Sequence, residues 1–348
     1  MTANKQKNIK NNRYNNIDGL RALSALAIVM MHVLINGGYQ MKGFVFESVI
    51  PSFTHFVFLF MIISGFSMCC GYYEKIKNNQ ITVNEFYSKR YLKTLPYFAF
   101  LILIDLVLSP NINSLYEAFA ELTLCFGLLP NPKIQVIGVA WTLGVIFLFY
   151  LLFPFFCFLL SNKKRAWFSF VGALIFNIFC TVYFFDENHM PKDFSHRTSF
   201  LYCAVFFIAG GLIYLYKDKL EKIVSKIHWF LLLFIAGGFV FYWMTPECIL
   251  TMIVLFSLLL IYAVGRKETV VLCNPVTRFL SGISMEIYLS HMIIYRVVEK
   301  LNLLHIFSSD ILSYCVVTLV VVCGTIVFAW ITKFMVEKLT ERIFLKKI

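Results

Sequence analysis

The chain has 348 residues, 59% of them hydrophobic and 14% charged, where a soluble domain carries roughly a quarter charged residues. Apolar runs of about 18 residues or more, each long enough to cross about 30 Å of hydrocarbon as a helix, recur along the whole length, which excludes a sizeable soluble domain. The net charge of +12 does not speak for nucleic acid, because the basic residues lie between apolar runs, where they set membrane orientation.

The opening residues are Asn-rich and basic, with Lys5, Lys7, Lys10 and Arg13. A basic leader before an apolar run suggests a secretory signal. This run is about twenty residues long and lacks a small-residue cleavage pattern, so it is expected to stay as the first span. Ten spans are expected, over 18–38, 50–71, 90–109, 138–160, 166–185, 198–217, 228–246, 248–265, 281–299 and 311–334. The stretch 112–130 holds Glu117 and Glu121, ends at Pro130 and reads as a re-entrant or interfacial helix.

With the N-terminus inside, the inner segments collect Lys75, Lys77, Lys89, Arg90, Lys163, Lys164, Arg165, Lys217, Lys219, Lys222 and Lys226. They also collect Arg266, Lys267, Arg278, Lys333, Lys338, Arg342, Lys346 and Lys347. The outer segments hold only Lys42, Lys133, Lys192, Arg197 and Lys300, with Arg296 near a helix end. That bias fits an even number of spans with both termini in the cytoplasm; an eleventh span would invert every later loop. The expected fold is an all-α, polytopic membrane bundle of about ten transmembrane helices. It has a tail at 1–17, one transmembrane domain over 18–334 and a tail at 335–348. The ten cysteines form no C-x-x-C pair and read as small buried hydrophobes. No internal repeat is visible, which counts weakly against the common transporter plans.

In the first span Arg21 and His32 stand eleven residues apart. Eleven residues make three helical turns with about 20° left over, so the two side chains share a stripe, about 16 Å apart, with Asp18 near it. An ionisable imidazole within a span points to function by default. As a neutral ring, His32 can take a proton from a hydroxyl that attacks an acyl carbon. The plainer alternatives are a buried histidine bonded to a neighbouring helix and, for Arg21, a snorkelling anchor. Ser64-Gly65 reads as a small-residue helix contact. Arg90 and Lys93, at i, i+3, are either orientation anchors or a phosphate clamp. Trp141 suits an interfacial belt or a stacking platform. Ser284, Tyr288, His291 and Tyr295 follow i, i+4, i+7, i+11 and form a polar stripe that must face the bundle interior. His189, Asp193 and His196 do not fit a zinc spacing, and no metal site is expected.

Asp18-Gly19-Leu20-Arg21 followed by His32 resembles the opening of the acyltransferase 3 family, integral membrane proteins that acylate carbohydrates. Further matches follow in that family's order. Phe58 to Phe66 resembles its "FFxxSGF" span, and Arg90 to Tyr97 its "RxxRxxPxY" segment. Trp141-Thr142-Leu143 with Phe149 to Pro154 resembles "WSL…FYLLxP". Ile283 to His291 is similar to "iSYsiYLxH", and Val336-Glu337-Lys338 to the closing "vEkp". Many members carry Glu five residues after the Trp; this chain has Ile146 there. The larger members append a soluble SGNH domain, whereas this chain stops at Ile348, so direct acylation is expected.

The resemblance implies a membrane O-acyltransferase, most simply an O-acetyltransferase, using acetyl-CoA as donor and a cell-envelope or exported saccharide, or a lipid-linked glycan, as acceptor. His32 would be the base. Arg21, Arg90 and Lys93 would hold the donor phosphates from the cytoplasmic side, with Ser64 along the acyl or pantetheine chain. Trp141, Tyr288 and His291 would meet the acceptor. The expected home is the cell membrane, among lipids. The rival class is a saccharide transporter or flippase; Asp105 and Glu286 are its only intramembrane acids, too few for a proton relay.

Overall fold

The computed structural model describes residues 14–108, 110–129, 136–184, 189, 195–245 and 248–344. Among the described residues every regular element is helical. The basic leader, together with Lys133, Lys192, Asp193, Lys346 and Lys347, lies outside them.

The first span is a helix, α1 (Asn15–Asn36), which ends at Gly37-Gly38. Gly38 takes φ +68°, a left-handed turn that glycine adopts without strain. The second runs through Val45–Lys77 as one apolar helix, α2. The third, α3 (Val83–Leu108), starts earlier than expected because Val83 to Lys89 continue its first turns. Next comes α4 (Ile112–Leu122), capped by the side chain of Asn111. Ile112, Leu115, Tyr116 and Phe119 share its exposed face, while Ala118 and Glu121 are buried. The helix is short and amphipathic, the pattern of a re-entrant or interfacial segment; Pro130 is outside the described residues.

The expected span 138–160 is broken. Helix α5 (Trp141–Leu151) and helix α6 (Phe153–Leu159) meet at 63°. Pro154 opens α6; it has no N–H to donate and its ring displaces the preceding turn. Helix α7 (Lys163–Phe184) follows, capped by Asn162. The expected spans 198–217 and 228–246 are joined in α8 (Phe200–Met244), whose helical geometry fails only at Ile227, with φ −114° and ψ 16°. Its length, about 68 Å, is twice the hydrocarbon thickness. Then come α9 (Ile249–Gly265), the short α10 (Pro275–Gly282), α11 (Ser284–Lys300) and α12 (Asp310–Phe344).

Among the described residues, six helices are long and apolar enough to cross a membrane, and a seventh if the bent α5–α6 pair is one span. The protein is thus a membrane helical bundle. Helix α1 is its axis, packed against α2, α9, α10, α11 and α12. A second group forms around α8, which packs on α2, α7 and α9. The α2–α8 contact is backbone on backbone. A Cβ at Gly65 would meet the Phe207 carbonyl oxygen at 2.3 Å, and one at Gly210 the Ile62 carbonyl oxygen at 2.1 Å. Small residues permit that approach where apolar surface alone drives no association in lipid. Gly210→Ala is therefore expected to cost about 1–3 kcal/mol by overpacking. Gly172→Ala, with nothing within 4 Å of the new carbon, should not destabilise. Thermal melting of the purified variants in detergent decides this; equal melting temperatures would show that the two helices do not touch.

Candidate functional site

Three of the expected donor-site residues come together. A cavity of about 260 Å³ opens at the end of the bundle where α1 begins, and Arg21, Arg90 and Lys93 all line it. Lys333 of α12 lines the same space as a further cation, and Glu286 and Glu337 are the acids facing them. Three of these cations have partners of their own. Arg21 donates to Ser67 Oγ at 2.8 Å. Arg90 donates to Tyr72 Oη at 2.6 Å and stacks on its ring at 4.8 Å. Lys333 pairs with Glu286 at 3.0 Å. The sequence pattern pointed to Lys333 only as an orientation charge, because its partner lies on another helix.

Deeper in, the wall is Ser64, Thr142, Ile146 and Tyr288. The Ser64-Gly65 pair is split between two tasks: Gly65 seats α2 against α8, and the hydroxyl of Ser64 looks into the cavity. Tyr288 is buried and donates to the Val139 carbonyl at 3.0 Å. Its single proton is used there, so Thr142, whose Oγ1 lies 2.6 Å from the phenol oxygen, is the donor in that bond. Behind Tyr288 on α11, His291 faces His32 of α1, with ring centroids 5.0 Å apart. The stripe on α11 therefore does face inward. Arg21 and His32 bracket this path: Arg21 lines the cavity, while His32 lies beyond it, half-buried. These side chains offer cations for phosphate at one end and an imidazole for proton transfer at the other.

A family model described as an acyltransferase domain, acyltransferase 3, matches residues 14–332. The chain belongs to the acyltransferase 3 family. No curated protein and no solved structure matches it. The acyltransferase match spans α1 to most of α12, so the histidine pair and the cavity lining other than Lys333 and Glu337 lie inside the family domain.

Within this acyltransferase some expected residues stand apart. Trp141 is half-buried against the core and does not line the cavity; its neighbour Thr142 does. Ile146, where many members carry Glu, gives the cavity an apolar patch. Arg197, read from sequence as an outer charge only, donates to Thr54 Oγ1 at 2.7 Å and lies close enough to act electrostatically on His32 and Tyr288. No sequence signal marked it, since it sits in a loop. His189 joins no metal-binding group among the described residues, and the side chain of His196 lies outside them.

Glu121 of α4 is fully buried and accepts from the backbone N–H of Ile137 at 3.4 Å. It thereby holds the turn whose Val139 carbonyl receives Tyr288. Burial pushes its carboxyl from 4.5 up to about 8, against the backbone bonds from Ile137 and Val136 that favour ionisation. The folded protein keeps this proton where the unfolded chain has lost it, so the contribution is full below pH 4.5 and is lost as pH rises through about 8. The melting temperature is expected to fall across that window, and Glu121→Gln to flatten the fall. An unchanged pH profile in the Gln variant would show that Glu121 is ionised in the fold.

Proposed function

We propose that this acyltransferase moves an acyl group, most simply acetyl, from acyl-CoA to a hydroxyl of a cell-envelope or exported saccharide. One observation carries the reading: Arg21, Arg90, Lys93 and Lys333 ring a cavity whose inner wall reaches Tyr288, one turn of α11 from the His291–His32 pair. Phosphates are the natural occupants of such a ring, because guanidinium and ammonium groups make charge-assisted bonds to their oxygens. The offset between Arg21 and His32, about 16 Å along α1, suits an extended pantetheine arm with its thioester near the imidazole.

The reaction follows from that placement. The acceptor hydroxyl attacks the acyl carbon and gives its proton to His32. The C–S bond breaks as the ester C–O bond forms, and the leaving thiolate takes the proton back from His32. Arg197 stands on the acceptor side, where its charge can meet the negative charge that grows on the acyl oxygen. Ser64 and Ile146 are placed along the acyl chain, and Tyr288 with Thr142 forms the partition between donor and acceptor spaces. Trp141 and His291 stay behind that partition.

In topology, ten crossings result when α8 counts as two about its break at Ile227, α5–α6 as one, and α9 and α11 are included. Both termini then lie in the cytoplasm, and the cationic cavity opens where acyl-CoA is made. The cell membrane is the corresponding location. Transport is the poorer reading: the intramembrane acids Asp105 and Glu286 are held in ion pairs with Arg296 at 3.1 Å and Lys333 at 3.0 Å.

In vesicles given labelled acetyl-CoA, His32→Ala should abolish label transfer to the envelope saccharide fraction while the protein still inserts and accumulates. Arg90→Met should raise the donor KM by about tenfold or more with a smaller change in kcat, the mark of lost ground-state binding. Near-normal transfer by His32→Ala would sink the reading. So would saccharide flux by a wild-type protein that consumes no acetyl-CoA.

A further inference from the structure

His291 is sealed in the bundle at 0% exposure and does not line the cavity. It is placed to act on His32, not on a substrate. Its Nδ1 lies 2.7 Å from the Tyr288 carbonyl oxygen. A carbonyl only accepts, so Nδ1 carries the proton and the neutral ring presents a bare Nε2 lone pair. That Nε2 is buried and has no hydrogen-bond partner among the described residues. An unmatched buried acceptor is costly, about 1–3 kcal/mol, and the neighbouring imidazole is His32, with planes inclined at 42°. At a centroid separation of 5.0 Å, rotation of His32 about its Cβ–Cγ bond brings facing nitrogens into hydrogen-bond range.

We propose that His291 is a positioning residue: its Nε2 accepts the N–H of His32 and so commits the His32 lone pair to the ring nitrogen that faces the reacting hydroxyl. A neutral histidine has one N–H and two nitrogens to carry it, and the wrong tautomer presents a hydrogen where a base needs a lone pair. In hydrolytic triads a carboxylate makes this choice for the histidine. Here a second imidazole makes it, itself locked by a backbone carbonyl of its own helix. When His32 takes up the hydroxyl proton, the N–H shared with His291 stays in place, and the new proton sits on the side from which the leaving thiolate collects it. Arg197 also acts electrostatically on His32. Arg197 offers donors only and cannot accept the His32 N–H, whereas the His291 Nε2 can.

This inference rests on the acyl-transfer reading, and the experiment separates the two. Full-length wild type, His32→Ala, His291→Ala and His291→Gln are assayed in vesicles with labelled acetyl-CoA, using only protein that elutes as a single folded species. His291→Ala should lose about 100-fold in kcat with the donor KM little changed. His291→Gln, whose amide oxygen can accept in place of Nε2, should recover about tenfold or more of that loss. Wild-type kcat in His291→Ala overturns the assignment, as does a Gln variant no better than Ala or a loss confined to KM. An inactive wild type, or an active His32→Ala, overturns the acyl-transfer reading instead.

Discussion

A polar side chain inside an apolar bundle costs free energy until another group pairs it, and in this protein the pairing converges on one helix. Helix α11 carries Glu286 to Lys333 of α12, Tyr288 to Thr142 of α5 and to Val139 in the turn before it, and His291 to the ring of His32 of α1. These contacts stitch three helices to a fourth at successive depths. Nothing apolar would fix their rotation so closely, because lipid chains are as good a neighbour to leucine as another helix is. The groups to which the proposed function falls are therefore also the groups that set the register of the bundle.

The same logic explains the cavity. Like charges brought together repel, so Arg21, Arg90, Lys93 and Lys333 need counter-groups to share one space. Glu286 supplies one for Lys333, and Arg90 spreads its charge over the Tyr72 ring. What is left is a net positive mouth with an apolar patch at Ile146 farther in. A ligand with an anionic head and a slender neutral arm matches both parts, which a simple ion or a bare sugar would not.

Much of this was legible in the chain. The Arg21–His32 spacing, the stripe from Ser284 to Tyr295 and the amphipathic stretch with Glu121 are local patterns, and helical periodicity converts them directly into faces. The breaks were harder. Pro154 signals the α5–α6 bend only once it is known that no partner straightens it, and Ile227 carries no breaker signature, so two expected spans appear as one kinked helix. Lys333, Arg197 and the task of Glu121 were out of reach for a different reason. Each acquires its meaning from a partner far away in sequence, on Glu286, Thr54 and Ile137 respectively. Trp141 shows the converse: a motif can point at the right turn while its neighbour, Thr142, makes the contact.

The close seat of α2 on α8 has one more consequence. Gly65 meets the Phe207 backbone with no side chain between them, and the next residue back, Ser64, forms part of the cavity wall. A helix backed by another backbone cannot recede when something long presses on it. Phe60 and Ser64 thus form an unyielding floor, and a guest of greater reach must fit in front of it or stay out. Discrimination between short and long chains would then be a matter of rigid geometry, settled before any chemistry begins.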